Sequence, residues 1–386
     1  MKSRSQKPLS DRSSLGIKQA VSTDKDVAVA AAELFSQLEQ PGIQVVIFFC
    51  SPQYDLPKLA AELQQKFGST QLFGCTTAGE ITPEGIKQGS ITATSIASDQ
   101  LSMQVKVIED LQGLDPNKVQ TIAQSLKAGL KFNNRFNPSI FGLMLIDGLS
   151  MLEEKTVALL HGALDGIHLV GGSAGDDLKF HKTGIYTQGQ FISNAASLLL
   201  VESKLPFQTF KTQHFEPSNT KFVITESEPD KRIVYEINGL PAAAEYARLV
   251  GVAVKDLCPE VFSSSPVMVK MGMEWYVRSI QQANPDQSLT FYCAIDNGLV
   301  LTIGKAQDMV ASLKKNLNSI SAEVHSPQLI IACDCILRNL EAKSQKILPE
   351  LESLFQERHA MGFYTYGEQY NGIHVNQTLT GVILGC

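Results

Sequence analysis

At 386 residues, 44% hydrophobic and 19% charged, the chain is too long for one ordinary core and globular in composition, so two domains are expected. A formal net charge of −6 without a basic stripe argues against a nucleic-acid surface as partner. No run reaches the ~18 apolar residues of a membrane span, and the basic, Ser-rich start lacks a signal peptide's apolar run. A cytoplasmic protein with no membrane span is therefore expected.

In chain order, residues 1–22 read as a flexible tail. Asp24-Lys25-Asp26 then precedes an Ala-rich helix over 27–40, with acids at its positive end. IQVVIFFC (43–50) and SITATSIAS (90–98) read as strands. Asp115-Pro116 supplies the cap and first residue of a helix over 115–131, with Val119, Ile122, Leu126 and Leu130 on one face. IFGLMLID (140–147) is a strand. Ser150 with Glu153 reads as a capping box opening the next helix.

Residues 184–235 are strand-rich with polar turns, which predicts antiparallel hairpins, including AASLLLVES (195–203). The polar cluster TESEPDK (225–231) reads as a surface crossing between domains of 23–230 and 231–386. A helix over 305–320 is expected from Met309, Leu313, Leu317 and Ile320. The fold class that follows is mixed α/β (α+β), with two domains, each a mixed or mainly antiparallel sheet with flanking helices.

Three stretches have the texture of ligand loops. LVGGSAGDDLKF (169–180) is glycine-rich but fits neither a dinucleotide fingerprint nor a phosphate loop, and Asp176 and Asp177 repel phosphate. LFGCTTAGEI (72–81) places Glu80 after small residues, which suits a pocket wall and a tight turn equally. IDGLSMLEE (146–154) ends a strand with Asp147, at the mouth where α/β sheets gather ligands.

The seven cysteines are scattered, without a disulfide framework. Cys333-x-Cys335 lacks the second pair that would complete a structural zinc site. Arg338, just after that strand, has Asp334, Glu341 or a ligand carboxylate as possible partners. None of the seven histidines forms a His-x-His or i,i+4 pair. If 373–380 is a strand, His374, Asn376, Thr378 and Thr380 share one polar face, which meets water or lines a polar cavity. A single axial imidazole and an apolar slot suffice for haem, and one ordered histidine is compatible with that.

The ordered motifs GCTTAGEI (74–81), DGLSMLEE (147–154), VGGSAGDD (170–177), INGLPAAAEYA (237–247), DCILR (334–338) and YGEQYNGIHVNQTLTGVIL (366–384) resemble those of FIST-domain sensory proteins. The resemblance spans about residues 27 to 386, with an N-terminal FIST half (23–230) and a C-terminal one (231–386). FFCSPQYDLPKLAAEL (48–63) resembles most the NosP group of bacterial nitric-oxide sensors. It implies b-type haem, nitric oxide as the signal, and a separate histidine kinase or cyclic-di-GMP enzyme as partner, in the setting of biofilm control. By the same resemblance His374 is the candidate axial ligand and His168 the reserve. Glu80, Asp176, Arg338, Glu368 and Asn376 are the pocket candidates.

A second reading is a FIST sensor for another small ligand such as an amino acid, its carboxylate on Arg338 and its ammonium on Glu80 or Glu368. An enzyme comes last, because no complete nucleophile, base and orienting group is seen.

Overall fold

The computed structural model describes residues 15–132 and 139–386. Its body is a three-fold repetition of one pattern: an edge strand, a helix, a strand, a helical crossover, a parallel strand, a short hairpin and a returning antiparallel strand. The first unit comprises β1 (Gly16–Ser22), α1 (Val27–Leu38), β2 (Val45–Cys50), α2 (Leu56–Phe67), β3 (Gln71–Thr76), the hairpin β4 (Glu80–Thr82) and β5 (Gly85–Lys87), and β6 (Ile91–Ala97). The second comprises β7 (Leu101–Glu109), α3 (Pro116–Gly129), β8 (Ile140–Ile146), α4 (Glu153–Ala163), β9 (His168–Ser173), the hairpin β10 (Ile185–Thr187) and β11 (Gln190–Ile192), and β12 (Ala195–Ser203).

The third unit opens with β13 (Phe207–Thr212) and is then interrupted by an inserted sheet. That insert holds β14 (Phe215–Glu228), β15 (Ile233–Ile237), β16 (Leu240–Pro241), α5 (Ala242–Val250), α6 (Pro259–Ser264), β17 (Val267–Met271), β18 (Glu274–Arg278), β19 (Ile280–Ala283), β20 (Leu289–Phe291) and β21 (Val300–Ala306). The unit resumes with α7 (Met309–Glu323), β22 (Pro327–Cys335), α8 (Ile336–Gln345), α9 (Leu348–Gln356), β23 (Ala360–Thr365), the hairpin β24 (Glu368–Tyr370) and β25 (Ile373–Val375), and β26 (Leu379–Gly385).

Each unit lends its hairpin to another unit's sheet, in a cycle. The sheet orders are β1-β6-β2-β3-β10-β11, β7-β12-β8-β9-β24-β25 and β13-β26-β22-β23-β4-β5. Register repeats too: Phe48 faces Gly74, Met144 faces Gly171 and Ala332 faces Gly362 across the three parallel pairs. A Cβ on any of these glycines would lie 2.5, 2.0 or 1.9 Å from the facing residue's carbonyl oxygen, so each strand needs glycine there.

The inner faces of the three sheets meet in one core, through Ile47, Phe49, Leu143, Leu145, Ile331 and Phe363. Phe49 and Phe363 stack at 4.4 Å between ring centres. The outer faces are covered by α1 and α2, by α3 and α4, and by α7, α8 and α9. Burial on both faces explains why VVIFFC is a continuous apolar run rather than an alternating one.

The sequence reading holds for several elements. Asp26 and Asp115 cap α1 and α3 by accepting first-turn N–H groups. The Ser150 capping box does not form: α4 begins at Glu153 behind Leu152, and Ser150 Oγ accepts the Leu152 N–H instead. Of the expected tail, 1–14 lies outside the described residues, while Gly16–Ser22 pairs along its length with β6. Residue 230 falls in the turn between β14 and β15, and strands from both sides of it share sheets. No helix among the described residues is long and apolar enough to cross a membrane.

Candidate functional site

The C-terminal ends of parallel strands leave backbone groups and loops free to meet a ligand. At the end of β8 and β9 the inserted sheet closes over such a mouth, leaving a cavity of 230 Å³. It is walled by Leu149 and Met151 ahead of α4, by Phe180 beyond β9, and by Arg232 with Tyr292 from the insert. Tyr366 enters from the third unit, its ring stacked on Phe180 at 4.9 Å.

The loop carrying Phe180 is tied down by Asp176. That carboxylate accepts the N–H groups of Phe180, His181 and Lys182 at 2.9, 2.7 and 2.9 Å, and the Tyr366 hydroxyl. Burial opposes its ionisation, but these donors outweigh it and keep the carboxyl below its ordinary range. Asp177, Leu178 and Phe180 all have positive φ, a strained conformation that persists because the clasp holds it.

Arg232 forms the charged floor. It too has positive φ, and it donates to Glu153 at 2.7 Å, Glu154 at 2.9 Å and the Tyr292 carbonyl at 2.9 Å. Burial pushes Glu153 up to about 7 despite Arg232. Burial acts on Glu154 as well, but the neighbouring His374, Arg232 and the Ala294 N–H hold it below its ordinary range. The group thus carries one firm carboxylate, one guanidinium and one carboxyl able to titrate near neutrality.

Behind this floor lies His374, 1% exposed on β25. Burial lowers its pKa to about 4 against the pull of Glu154, so the ring is neutral at pH 7. Its Nδ1 lies 3.3 Å from the Gln369 amide nitrogen, while Nε2 has no partner in good hydrogen-bond geometry among the described residues and only the Tyr292 backbone to interact with. Asn376 Nδ2 and Gln369 Oε1 are also buried without a partner. His374 Nε2 and Asn376 Nδ2 both point at Gly367: a Cβ there would lie 2.8 and 3.2 Å from them. Unpaired donors and acceptors at this depth are costly unless something fills them.

Residues 44–240 match the family model described as the FIST N domain, and residues 242–371 match the FIST C domain. The chain belongs to the FIST family. Membership points to a sensory role in signal transduction. The chain is also 20% identical over 364 residues to the uncharacterized protein MJ1623 of Methanocaldococcus jannaschii, covering 83% of this chain and 69% of that one.

The FIST N and FIST C matches meet at the inserted sheet, whereas the cavity draws on both. Of the residues singled out in the sequence, His374 and Asn376 lie together behind the cavity floor, and Asp176 ties its loop. Glu368 is bound within the fold by Thr365 and by the N–H and hydroxyl of Thr378 at 3.1 and 2.7 Å. Glu80 is held in the same way by Thr77 and Ser90, on the hairpin lent to the third sheet. Arg338 is on α8, bonded to Asp334 at 2.6 Å and to His214 Nδ1 at 3.0 Å. His168 is exposed at the opposite end of β9 from Asp176, 3.2 Å from the Thr209 hydroxyl.

The polar row read at 373–380 is not one strand. It breaks at residues 376–378, where Gln377 has positive φ, and all four of its polar members are buried. Among the described residues no group of three His, Cys, Asp or Glu side chains is placed to hold a metal ion.

A haem fits this FIST site only in part. A neutral imidazole with an unpartnered Nε2 is the right donor. The space is wrong: the His374 ring is walled by Gly367, Gln369 and Asn376, its own carbonyl is held by the Arg278 guanidinium, and the nearby 230 Å³ cavity is too small for a porphyrin. Arg232, Tyr292 and Phe180 carry no signal in the sequence. They become neighbours only because the insert folds back over the second unit.

Proposed function

We propose that this FIST protein senses a small molecule of amino-acid size, bound in the cavity between the second unit and the inserted sheet. It would relay occupancy to a separate histidine kinase or cyclic-di-GMP enzyme. The observation that carries this reading is the union of an aromatic wall, Phe180 on Tyr366, with a charged floor, Arg232 between Glu153 and Glu154. An aromatic wall favours an apolar side chain, and an ion group holding both signs of charge suits a zwitterion. A ligand touching both the second unit and the insert changes how firmly they are joined, which gives two states for a partner to distinguish. No catalytic step is part of this proposal.

The haem and nitric oxide reading rests on one atom, the buried Nε2 of His374, which has no partner in good hydrogen-bond geometry among the described residues. It requires the β24–β25 hairpin to open a slot beside that ring.

One experiment addresses both. The full chain is melted with each common amino acid, and separately titrated with hemin while absorption is followed. The expected result is a rise in melting temperature with a small subset of amino acids, lost in Phe180→Ala. No shift with any of them removes the amino-acid reading. A stoichiometric Soret band lost in His374→Ala replaces it with the haem reading.

A further inference from the structure

A second pocket, of 400 Å³, lies at the turn of the β24–β25 hairpin, away from the Arg232 cavity. Lys211 reaches it from β13, and only 9% of its side chain is exposed. Its ammonium sits 3.9 Å from the centre of the Tyr276 ring and 5.6 Å from that of Tyr370. Among the described residues its carboxylate partner is Glu274 at 3.0 Å, half exposed beside the hairpin tip at Met273.

The charge count leaves room for an anion. Arg278, on the same strand as Glu274 and 8% exposed, bonds only to the carbonyls of Val277 and His374 and to the Met271 sulfur. Among the described residues it has no carboxylate partner. Burial, set against Glu274, lowers the Lys211 pKa, and Arg278 adds to that lowering. Two buried cations thus act on each other beside one acid, with Lys211 and Glu274 lining the pocket and Arg278 set behind it. Trp275, Tyr370 and Phe215 supply apolar and aromatic walls, and Gln213 Oε1 is buried there as an acceptor without a donor.

We infer that this pocket is a second ligand site, taking a small planar monocarboxylate that carries a hydrogen-bond donor, such as a hydroxylated aromatic acid. The ligand carboxylate meets Lys211 alongside or in place of Glu274, whose tethered carboxylate mimics the contact. The ring lies against Trp275 and Tyr370, and the donor serves Gln213. This site is independent of the Arg232 cavity and does not rest on the function proposed for it.

Trp275 is the only tryptophan of the chain, so its fluorescence reports this pocket. The full chain is titrated with 4-hydroxyphenylacetate, its neutral amide and phenylacetate, in wild type, Lys211→Met and Glu274→Gln, with a melting curve for each variant. The expected result is saturable binding of the hydroxy acid with a Kd of about 1 mM or below. The amide and Lys211→Met should each bind about tenfold more weakly, phenylacetate a few-fold more weakly, and Glu274→Gln several-fold more tightly. The proposal fails if the acid gives no saturable change up to about 10 mM, or if acid and amide bind alike. Should Lys211→Met not fold, an unchanged affinity in Glu274→Gln overturns it by itself.

Discussion

Glu80 and Glu368 occupy the same place in two units of the fold, bound by the same partners at the same spacing. Each accepts a threonine hydroxyl three residues back, Thr77 or Thr365, and both the N–H and hydroxyl ten residues on, from Ser90 or Thr378. Each follows a glycine at positive φ, Gly79 or Gly367. Two carboxyls so held fix the base of a lent hairpin to its own returning strand. That makes them joints of the cyclic exchange, whatever else the site does.

Both joints should give the protein an alkaline weakness. Burial raises Glu80 to about 7 and Glu368 to about 8, against 4.5 for the free side chain. A raised folded pKa means full stability below about pH 4.5 and loss as pH rises through 7 and 8. In that window each costs on the order of 1 kcal/mol per pH unit. Melting temperature followed from pH 5 to 9 should flatten in Glu368→Gln relative to wild type. Glu368→Ala should be destabilised at every pH by about 2 kcal/mol, since it strands the Thr378 donors.

The three facing glycines should be far less replaceable than glycines elsewhere. Gly362→Ala puts a methyl 1.9 Å from the Ala332 oxygen, and Gly171→Ala puts one 2.0 Å from Met144. Backbone cannot yield as a side-chain tip can, so a loss of about 1–3 kcal/mol is expected, as for other overpacked cores. Gly162 is the contrast: it lies in α4, a methyl added there would have nothing within 4 Å, and its φ is in the ordinary range. Gly162→Ala should stabilise by about 0.5–1 kcal/mol. Urea unfolding of the three variants tests the ranking.

The same glycines show what sequence can and cannot disclose. GCTTAG, GGSAGD and GFYTYG begin with Gly74, Gly171 and Gly362, and the first two are recognisably alike in texture. The repeat stays hidden because the second interval is about twice the first, lengthened by the inserted sheet at 215–306. Caps such as Asp26 and Asp115 are legible because they act on their own next turn. The exchange of hairpins is not, because it pairs Glu80 with Phe363 and Gly172 with Glu368, contacts with no local signature. For the same reason His374 and Asn376 are identifiable as a polar row, while Arg232, beside a stretch that reads as a surface crossing, is not.

Arg232 holds two buried acids, so its loss should be severe and repairable. Arg232→Met leaves Glu153 and Glu154 facing each other without a cation, which costs about 3–5 kcal/mol when one partner of a buried pair is removed. Adding Glu153→Gln should return part of that stability, because Glu153 is the member that burial already pushes toward protonation. A double-mutant cycle by denaturant unfolding at pH 8 measures the coupling. Coupling near zero would mean that the insert is not held to the second unit through this group.

His374 should set the acid limit. Its pKa falls from 6.5 to about 4 on burial, so the folded state excludes a proton that the unfolded chain takes up. A lowered histidine pKa gives stability that is full above about pH 6.5 and lost as pH falls toward 4, on the order of 3 kcal/mol in all. His374→Gln cannot titrate, so it should gain stability relative to the wild type steadily as pH falls from 6.5 to 4, on top of the opposite trend that Glu80 and Glu368 give both proteins. Glu154 works against this loss, since it attracts the imidazolium; Glu154→Gln should therefore deepen the His374 loss and extend it below pH 4. If wild type and His374→Gln lose stability in parallel, the ring is not held neutral in the fold, and Nε2 is then paired or wet rather than waiting for a partner.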